Sequence, residues 1–256
     1  MTLKLAIAGA KGRMGQALAL AIAGEADFAI AGATEREAGG EIAPGVAIVA
    51  NAHDAAKNAD VWLDFTAPEA TLAALKALEG TSVRAAIVGT TGLTAAQEAE
   101  IASAAKRIAI VRAGNFSLGI TLLEALVEQA ASRLPDWDVE ILEAHHRRKV
   151  DAPSGTALAL GEAIARARNA ALAALRVRAR DGITGARKTG EIGFASLRAG
   201  SIVGEHEVLF ASERETLRLS HQAHDRAIFA DGALAAARWA AMKSPGLYSM
   251  RDVLGL

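Results

Sequence analysis

Leu3-Lys-Leu-Ala-Ile-Ala-Gly-Ala-Lys-Gly-Arg-Met-Gly15 is the stretch that decides the fold. The apolar run Leu3–Ala8 reads as a strand, and glycines at 9, 12 and 15 turn the chain into a segment, 14–23, that reads as a helix. A glycine-rich turn in this setting lets backbone N–H groups approach a pyrophosphate at the helix N-terminus. The spacing is GxxGxxG, with Lys11 where the commoner GxGxxG has its second glycine, so taken alone it also fits a tight turn with no ligand. Glu35 favours the nucleotide. It closes the second apolar run, Phe28–Thr34, about 20 residues beyond Gly15, where an acid accepts from adenosine ribose hydroxyls. Arg36 beside it offers a guanidinium to a 2′-phosphate, so the pair suits NADH and NADPH alike, and Arg13 adds charge in the turn itself.

Outward from this turn, apolar runs at 61–65, Ala85–Val88 and 108–111 alternate with helical segments at 69–78 and 95–106. That alternation predicts βαβ units on a parallel sheet. Gly89-Thr-Thr-Gly92 and Gly114-Asn-Phe-Ser117 follow the fourth and fifth strands at their carboxyl ends, where open α/β sheets bind ligands, although ordinary turn chemistry would also place glycine there. Beyond residue 115 the pattern changes. A long amphipathic helix at 118–134 leads to a strand at 138–144, an Ala/Arg-rich stretch at 162–179, strands at 192–197, 202–210 and 216–221, and a last helix at 225–242. The expected fold is α/β: a Rossmann-like dinucleotide-binding domain at 1–116, then an α+β domain with a mixed open sheet at 117–226. The segment 227–256 is expected to pack back on the first domain.

The composition narrows the function. A chain of 256 residues has 28 Lys and Arg against 29 Asp and Glu, so no overall field recruits nucleic acid or an acidic membrane, and basic chemistry must be local. Cysteine is absent, which removes disulfides, thiolate nucleophiles and cysteine-bound zinc and suits a reducing compartment. No uninterrupted apolar stretch reaches membrane-spanning length, and residues 1–4 lead straight into the first strand without a signal-like run. The expected location is cytoplasmic.

Local basic chemistry is concentrated in Glu143-Ala-His-His-Arg-Arg-Lys-Val-Asp-Ala-Pro-Ser-Gly-Thr156. The alternation before it predicts a strand, and Ser154 is placed to cap an apolar helix starting near Ala157, so the reactive side chains occupy a strand-to-helix loop. A helix N-terminus preceded by His145, His146, Arg147, Arg148 and Lys149 combines unpaired N–H groups, a positive dipole end and cations, and predicts a small acid as ligand. A solvated basic loop is the plainer alternative. No metal is expected at the His-His pair, since cysteine is absent and no paired acid lies nearby at helical spacing. His206, beside Glu205, reads as structural, in a sheet or subunit contact, and His53, His221 and His224 carry no signal.

Taken together these residues resemble the dihydrodipicolinate (4-hydroxy-tetrahydrodipicolinate) reductase family. The resemblance spans the chain through Gly9–Gly15, Glu35-Arg36, Asp64-Phe-Thr66, Gly89-Thr-Thr-Gly92, Asn115-Phe-Ser117, the Glu143–Thr156 block and Arg198-Ala-Gly-Ser-Ile-Val-Gly-Glu-His206. It departs from the family pattern only mildly, with Gly114 where Ala or Pro is common and a bland Ala-rich stretch at 163–174. The resemblance implies NADH or NADPH as hydride donor, a cyclic imine dicarboxylate as substrate, and a homotetramer built through the second domain. It puts His145 and Lys149 in catalytic positions and His146, Gly155 and Thr156 in substrate-binding positions. Gly9, Ala10, Lys11, Gly12, Arg13, Met14, Glu35, Arg36, Gly89, Thr90, Thr91, Ala113, Gly114, Asn115 and Phe116 match its cofactor positions. In that chemistry His145 suits a proton donor or relay, and Lys149 with the Gly155-Thr156 donors suits a clamp on one carboxylate. Two rival readings remain: another NAD(P)-dependent dehydrogenase on the same scaffold, and a non-catalytic dinucleotide sensor. Neither calls for the His–Lys block.

Overall fold

The structure is a computed structural model that describes residues 2–256. Its backbone contacts separate into two units, one running up to Leu118 and resuming at Ala227–Leu256, the other Gly119–Arg226. In chain order the first unit begins with β1 (Leu3–Ala8), α1 (Arg13–Ala23), β2 (Phe28–Thr34), β3 (Glu41–Ala43), β4 (Val46–Val49) and α2 (Ala52–Ala56). It continues with β5 (Val61–Asp64), α3 (Pro68–Ala77), β6 (Ala85–Val88), α4 (Ala95–Ala104) and β7 (Ala109–Arg112). Then come α5 (Leu118–Arg133), β8 (Asp138–His145), α6 (Gly155–Ala167), α7 (Leu172–Leu175), β9 (Arg176–Val177), β10 (Ile192–Arg198), β11 (Gly204–Ala211) and β12 (Thr216–Ala223). The chain closes with α8 (Ala227–Ala240), β13 (Gly246–Tyr248) and α9 (Met250–Leu254).

Among the described residues the first unit holds an eight-stranded sheet in the order β13-β7-β6-β5-β1-β2-β4-β3. All its pairings are parallel except that of β3 with β4. The central strands are short and apolar because both faces are covered: every residue of β5 and of β6 is buried. One covered face gathers Leu5, Ile7, Leu63, Ile87 and Val111 with α1 and α8, and the other gathers Ala6, Trp62, Ala86 and Ile110 with Ala74, Leu75 and Ile101 from α3 and α4. Alanine-rich helices suit this packing, since Ala carries high helix propensity and lets a helix lie close to the sheet. Helix starts follow local chemistry. Pro68 opens α3, and at α4 the Thr94 hydroxyl takes the Gln97 N–H while the Gln97 side chain returns to the Thr94 N–H. The sheet reverses direction of winding at β1, flanked by β5 and β2, and the carboxyl ends there form the crevice where such folds hold ligands.

Unit two is built on a five-stranded sheet, again among the described residues, in the order β12-β11-β8-β10-β9. β8 runs parallel to β10 and antiparallel to β11, so the sheet is mixed. Val139 and Ile141 of β8, Ile192 and Phe194 of β10, and Val208 and Phe210 of β11 share one face and pack with Ile120, Leu123 and Val127 of α5 and Leu160 and Ile164 of α6. Removing one such side chain, as in Ile141→Ala, costs about 2–5 kcal/mol in a packed core. No helix of the described residues is long and apolar enough to cross a membrane.

Candidate active site

In the first unit, β1 ends at Gly9, whose φ of +68° belongs to the left-handed region that glycine tolerates. The Gly12 N–H then closes on the Gly9 carbonyl at 2.9 Å, and Gly12 becomes the N-cap of α1 without a capping side chain. Gly15 lies inside the first turn against the Gly9 carbonyl and the Ala10 backbone, and a Cβ there would strike both. The turn is therefore a cradle of backbone with the helix N-terminus facing outward, which fits a pyrophosphate. Arg13 is exposed at its rim, and Ala10 is buried. Glu35 binds the turn from the end of β2: its Oε2 accepts from the Lys11 N–H at 3.1 Å and its Oε1 from the Arg36 N–H at 3.0 Å. A cleft of about 830 Å³ opens beside this carboxylate and is lined by Gly9, Gly12, Glu35, Arg36, Asn51 and Thr66 among others. Such a volume suits the adenosine portion of a dinucleotide, within the size range of small-molecule sites.

The neighbouring loops are pegged by Asp64, which is fully buried at the end of β5. Its carboxylate accepts from the Trp62 indole at 3.2 Å, from the Thr66 hydroxyl at 2.5 Å and from the Thr71 hydroxyl at 3.0 Å. Thr90, 1% exposed, turns its hydroxyl to Asp64 and takes the Thr66 N–H, while the Gly89 N–H donates to the Asp64 carbonyl. Gly89 is needed for contact as well, since a Cβ there would fall on the Phe65 ring. The structure thus commits the Thr90 side chain to the loop's interior and leaves Thr91 exposed. Ala113 and Gly114 follow β7. Arg112 steadies them, pairing with Glu98 at 2.8 Å and donating to the Ala113 carbonyl at 2.8 Å. The Asn115 side chain accepts from the Ser117 N–H, and buried Phe116 meets Phe65 edge to face at 5.1 Å.

Within the second unit the site grows directly out of the core. Along β8, Val139 and Ile141 are followed on the same face by Glu143 and His145, because side chains alternate along a strand. Register supplies the neighbours: Ser196 and His206 flank Glu143, and Arg198 pairs with His145, whose ring also lies close to Gly204. Two apolar rows therefore give way to two polar ones. Glu143 is 2% exposed, and burying a lone carboxylate costs several kcal/mol. Arg198 offsets that with a fork, Nη1 to Oε2 at 2.8 Å and Nη2 to Oε1 at 2.7 Å, joined by the Ser154 N–H at 3.2 Å and by His145 Nδ1 at 2.6 Å. Burial by itself raises the Glu143 carboxyl, but the hydrogen bonds from Arg198, Ser196 and His145 outweigh it and hold the group at about 2.

Ser154 caps α6 as its residue type predicts, accepting from the Ala157 N–H at 3.1 Å, and the helix begins at Gly155, two residues earlier than the apolar pattern suggests. The same hydroxyl meets His206 Nε2 at 2.9 Å. His206 is 6% exposed, pairs within the sheet as a structural residue would, and also stands edge-on to the His145 ring at 5.1 Å, inside this cluster. Burial, with the nearby His145, pushes His206 down to about 4. His145 is also lowered, chiefly by burial, with Glu143 pulling upward and Lys149 and Arg198 downward. Lys149 pairs with Asp151 at 2.9 Å. His146 Nε2 meets Arg226 Nη2 at 3.1 Å; since a guanidinium only donates, Nε2 accepts and the ring proton sits on Nδ1. Gly155 and Thr156 occupy the first turn of α6. His145, His146, Lys149, Gly155 and Thr156 thus lie on one strand end, one loop and one helix start. Glu143 and Arg198 were not assigned roles from sequence, and His206 was read only as structural, although the two-residue spacing of Glu143 and His145 on a strand was a readable signal.

Comparison with known proteins identifies the family. Residues 3–116 match the family model described as dihydrodipicolinate reductase, N-terminus, and residues 119–254 match the one described as dihydrodipicolinate reductase, C-terminus. The chain is 51% identical over 257 residues to the 4-hydroxy-tetrahydrodipicolinate reductase of Caulobacter vibrioides, covering 98% of this chain and 97% of that protein. It is 50% identical over 267 residues to the protein of the same name from Parvibaculum lavamentivorans, covering 99% and 98%. In fold it is similar to a dipicolinate-bound dihydrodipicolinate reductase from Paenisporosarcina sp. TG-14, with a TM-score of 0.82 at 24% identity over 98% of this chain and 99% of that one. A more distant likeness is to an amine dehydrogenase from Mycobacterium smegmatis, TM-score 0.66 at 12% identity over 98% and 95%, which speaks to fold alone. On the two family models and these full-length relatives, the chain belongs to the dihydrodipicolinate reductase family.

Proposed function

We propose that this chain reduces 4-hydroxy-tetrahydrodipicolinate to tetrahydrodipicolinate with NADH or NADPH, with loss of water, in the diaminopimelate route to lysine. The observation that carries the reading is the buried Glu143–His145–Arg198 cluster beside Lys149 and the start of α6, in a chain that also has a backbone cradle for a dinucleotide. When bound, the reduced nicotinamide supplies a hydride. The chain's own residues must then hold two carboxylates and manage one proton. His145 takes up a proton from water at Nε2 and passes it from the same atom to the substrate as the hydride arrives. Lys149 exchanges the Asp151 carboxylate for a substrate carboxylate of the same charge and geometry, and the Gly155 and Thr156 N–H groups with the Thr156 hydroxyl complete that clamp at the positive end of α6. His146 donates from Nδ1.

On the cofactor side Gly9, Ala10, Lys11, Gly12, Arg13 and Met14 surround the pyrophosphate, and Glu35 and Arg36 meet the ribose or its phosphate. The backbones of Gly89, Thr90 and Thr91 and of Ala113, Gly114, Asn115 and Phe116 border the nicotinamide. The open face of the five-stranded sheet, where Leu197 is 59% exposed, is the seam of a homotetramer acting in the cytoplasm. Another dehydrogenase chemistry or a sensor role would leave the Glu143–His145 pair and the Lys149 loop without purpose.

The test is NADH and NADPH oxidation, followed by absorbance, on the condensation product of pyruvate and aspartate semialdehyde. Turnover that pyridine-2,6-dicarboxylate inhibits far better than picolinate, by a protein that scatters light as a tetramer, is the expected result. No turnover with either cofactor overturns the assignment.

A further inference from the structure

We propose that Glu143, clasped by Arg198, is the positioning residue for His145: it fixes the ring as the Nδ1–H tautomer and leaves Nε2, beside Gly204, as the atom through which the proton passes. This rests on the functional reading above, in which His145 handles the proton. The Glu143 carboxylate lies 2.6 Å from His145 Nδ1, and an ionised carboxylate can only accept. The proton between them therefore belongs to the ring, and a neutral imidazole with Nδ1–H carries its lone pair on Nε2. Opposite, Gly204 at the start of β11 faces the ring, and a Cβ at that position would stand 3.2 Å from Nε2. Glycine keeps the working nitrogen clear.

Arg198 explains why the acid can be so close without locking the ring as an imidazolium. Its fork on both oxygens neutralises Glu143 while leaving Oε2 free to accept from the ring, so Glu143 acts through the direction of a hydrogen bond more than through charge. Consistent with this, His145 rests below the ordinary imidazole value, burial outweighing the upward pull of Glu143. The guanidinium has a second use. Its Nη2 donates to the Asp151 carbonyl at 2.7 Å, and the Ala199 N–H donates to the His145 carbonyl at 3.0 Å, so the strand that orients the histidine also holds the loop that presents Lys149.

Glu143→Gln is the discriminating variant. Arg198 would claim the amide oxygen, turning the amide NH₂ toward Nδ1, which must then accept, and the ring proton moves to Nε2. Long-range proton–nitrogen spectra of ¹⁵N-histidine-labelled full chain, assigned with His145→Gln, should show His145 protonated at Nδ1 in the parent and at Nε2 in the variant. The variant should lose about 10²-fold or more in kcat, as expected when a relay histidine is left in the wrong tautomer, with NADH Kd changed less than about twofold. Gly204→Ala should lower kcat about tenfold while keeping the Nδ1–H tautomer, because it crowds Nε2 alone. A parent ring protonated at Nε2, or Glu143→Gln with tautomer and kcat both unchanged, overturns the proposal. Should Glu143→Gln fail to fold by circular dichroism, the parent spectrum and Gly204→Ala decide: Nε2–H in the parent, or full kcat in Gly204→Ala, counts against it. A parent without turnover sinks the functional reading instead, while the spectra still judge the Glu143–His145 geometry.

Discussion

Asp64 and Glu143 are both carboxylates buried near the carboxyl end of a strand, and the two units hold them in opposite ways. Around Asp64 the partners are an indole N–H, three threonine hydroxyls and a backbone N–H, and no cation pairs with it among the described residues. Neutral donors make a peg: Asp64 ties the loop after β5 to the loop after β6 and contributes shape to the cleft. Around Glu143 the partners are a guanidinium, an imidazole and the N-cap of a helix. Those groups carry charge or exchange protons, so this carboxylate sets the state of a cluster. On the proposed function, one unit binds with backbone and fixed donors, whereas the other works with titratable side chains, and substitutions should sort accordingly.

The largest separation is expected in kinetics. His145→Gln should lower kcat by about 10²–10⁴, or roughly 3–5 kcal/mol in the barrier, and leave cofactor Kd nearly intact. Lys149→Ala should both raise KM and depress kcat, because on the proposed reading a carboxylate clamp and a group that steadies the transition state are lost together. Steady-state kinetics with circular dichroism as a folding control make the measurement. If both variants keep parental kcat, the contrast collapses and the second unit only steers substrate.

How much of this contrast was legible beforehand follows from distance along the chain. The nucleotide cradle lies in one continuous stretch, Gly9–Gly15, and its strand and helix are each signalled by local periodicity, so sequence reading placed it and the alternating strands around it. The sequence reading did not predict the short elements β3, β4, α2 and β13, since three to five residues carry too little pattern to stand out. In the second unit the histidine loop was equally visible, but its support was not. Arg198 reaches Glu143 across 55 positions and His206 reaches Ser154 across 52, and both contacts depend on which strands pair and in what register. No local pattern fixes that choice. His206 was accordingly read only as structural, in a sheet or subunit contact, without the Ser154 N-cap of α6 that its strand also brings it against.

Next in size is an acid response confined to the second unit. His206 sits at about 4 against an ordinary 6.5, and Glu143 at about 2 against an ordinary 4.5. In each window the unfolded chain binds the proton more readily than the folded one, so stability rises with pH. The His206 contribution is complete above 6.5 and is lost as pH falls towards 4, and that of Glu143 is lost between 4.5 and 2. Each amounts to on the order of 3 kcal/mol. Hydrogen exchange corrected for its intrinsic pH dependence should show the amides of β8, β10 and β11 losing protection between neutral pH and pH 4 before those of β1 and β5 do. Equal loss in both sheets would mean that the cluster is not where acid enters.

The smallest effect tests the binding unit, where a change should appear in affinity and leave chemistry untouched. Glu35 is already fastened to the Lys11 and Arg36 N–H groups, so on the proposed reading its carboxylate is a fixed acceptor for ribose hydroxyls and repels a phosphate placed on the same ribose. Arg36 lines the same cleft and is the group there able to answer that phosphate with a charge-assisted bond. Arg36→Ala should therefore weaken NADPH relative to NADH by about 1–3 kcal/mol, the value of a hydrogen bond to a charged group, with the kcat for NADH unchanged. Isothermal titration with both cofactors reads the difference directly. Equal losses for the two would place Arg36 away from the 2′-phosphate, and a fall in kcat with NADH would show that the two units do not divide binding from proton chemistry as their buried carboxylates indicate.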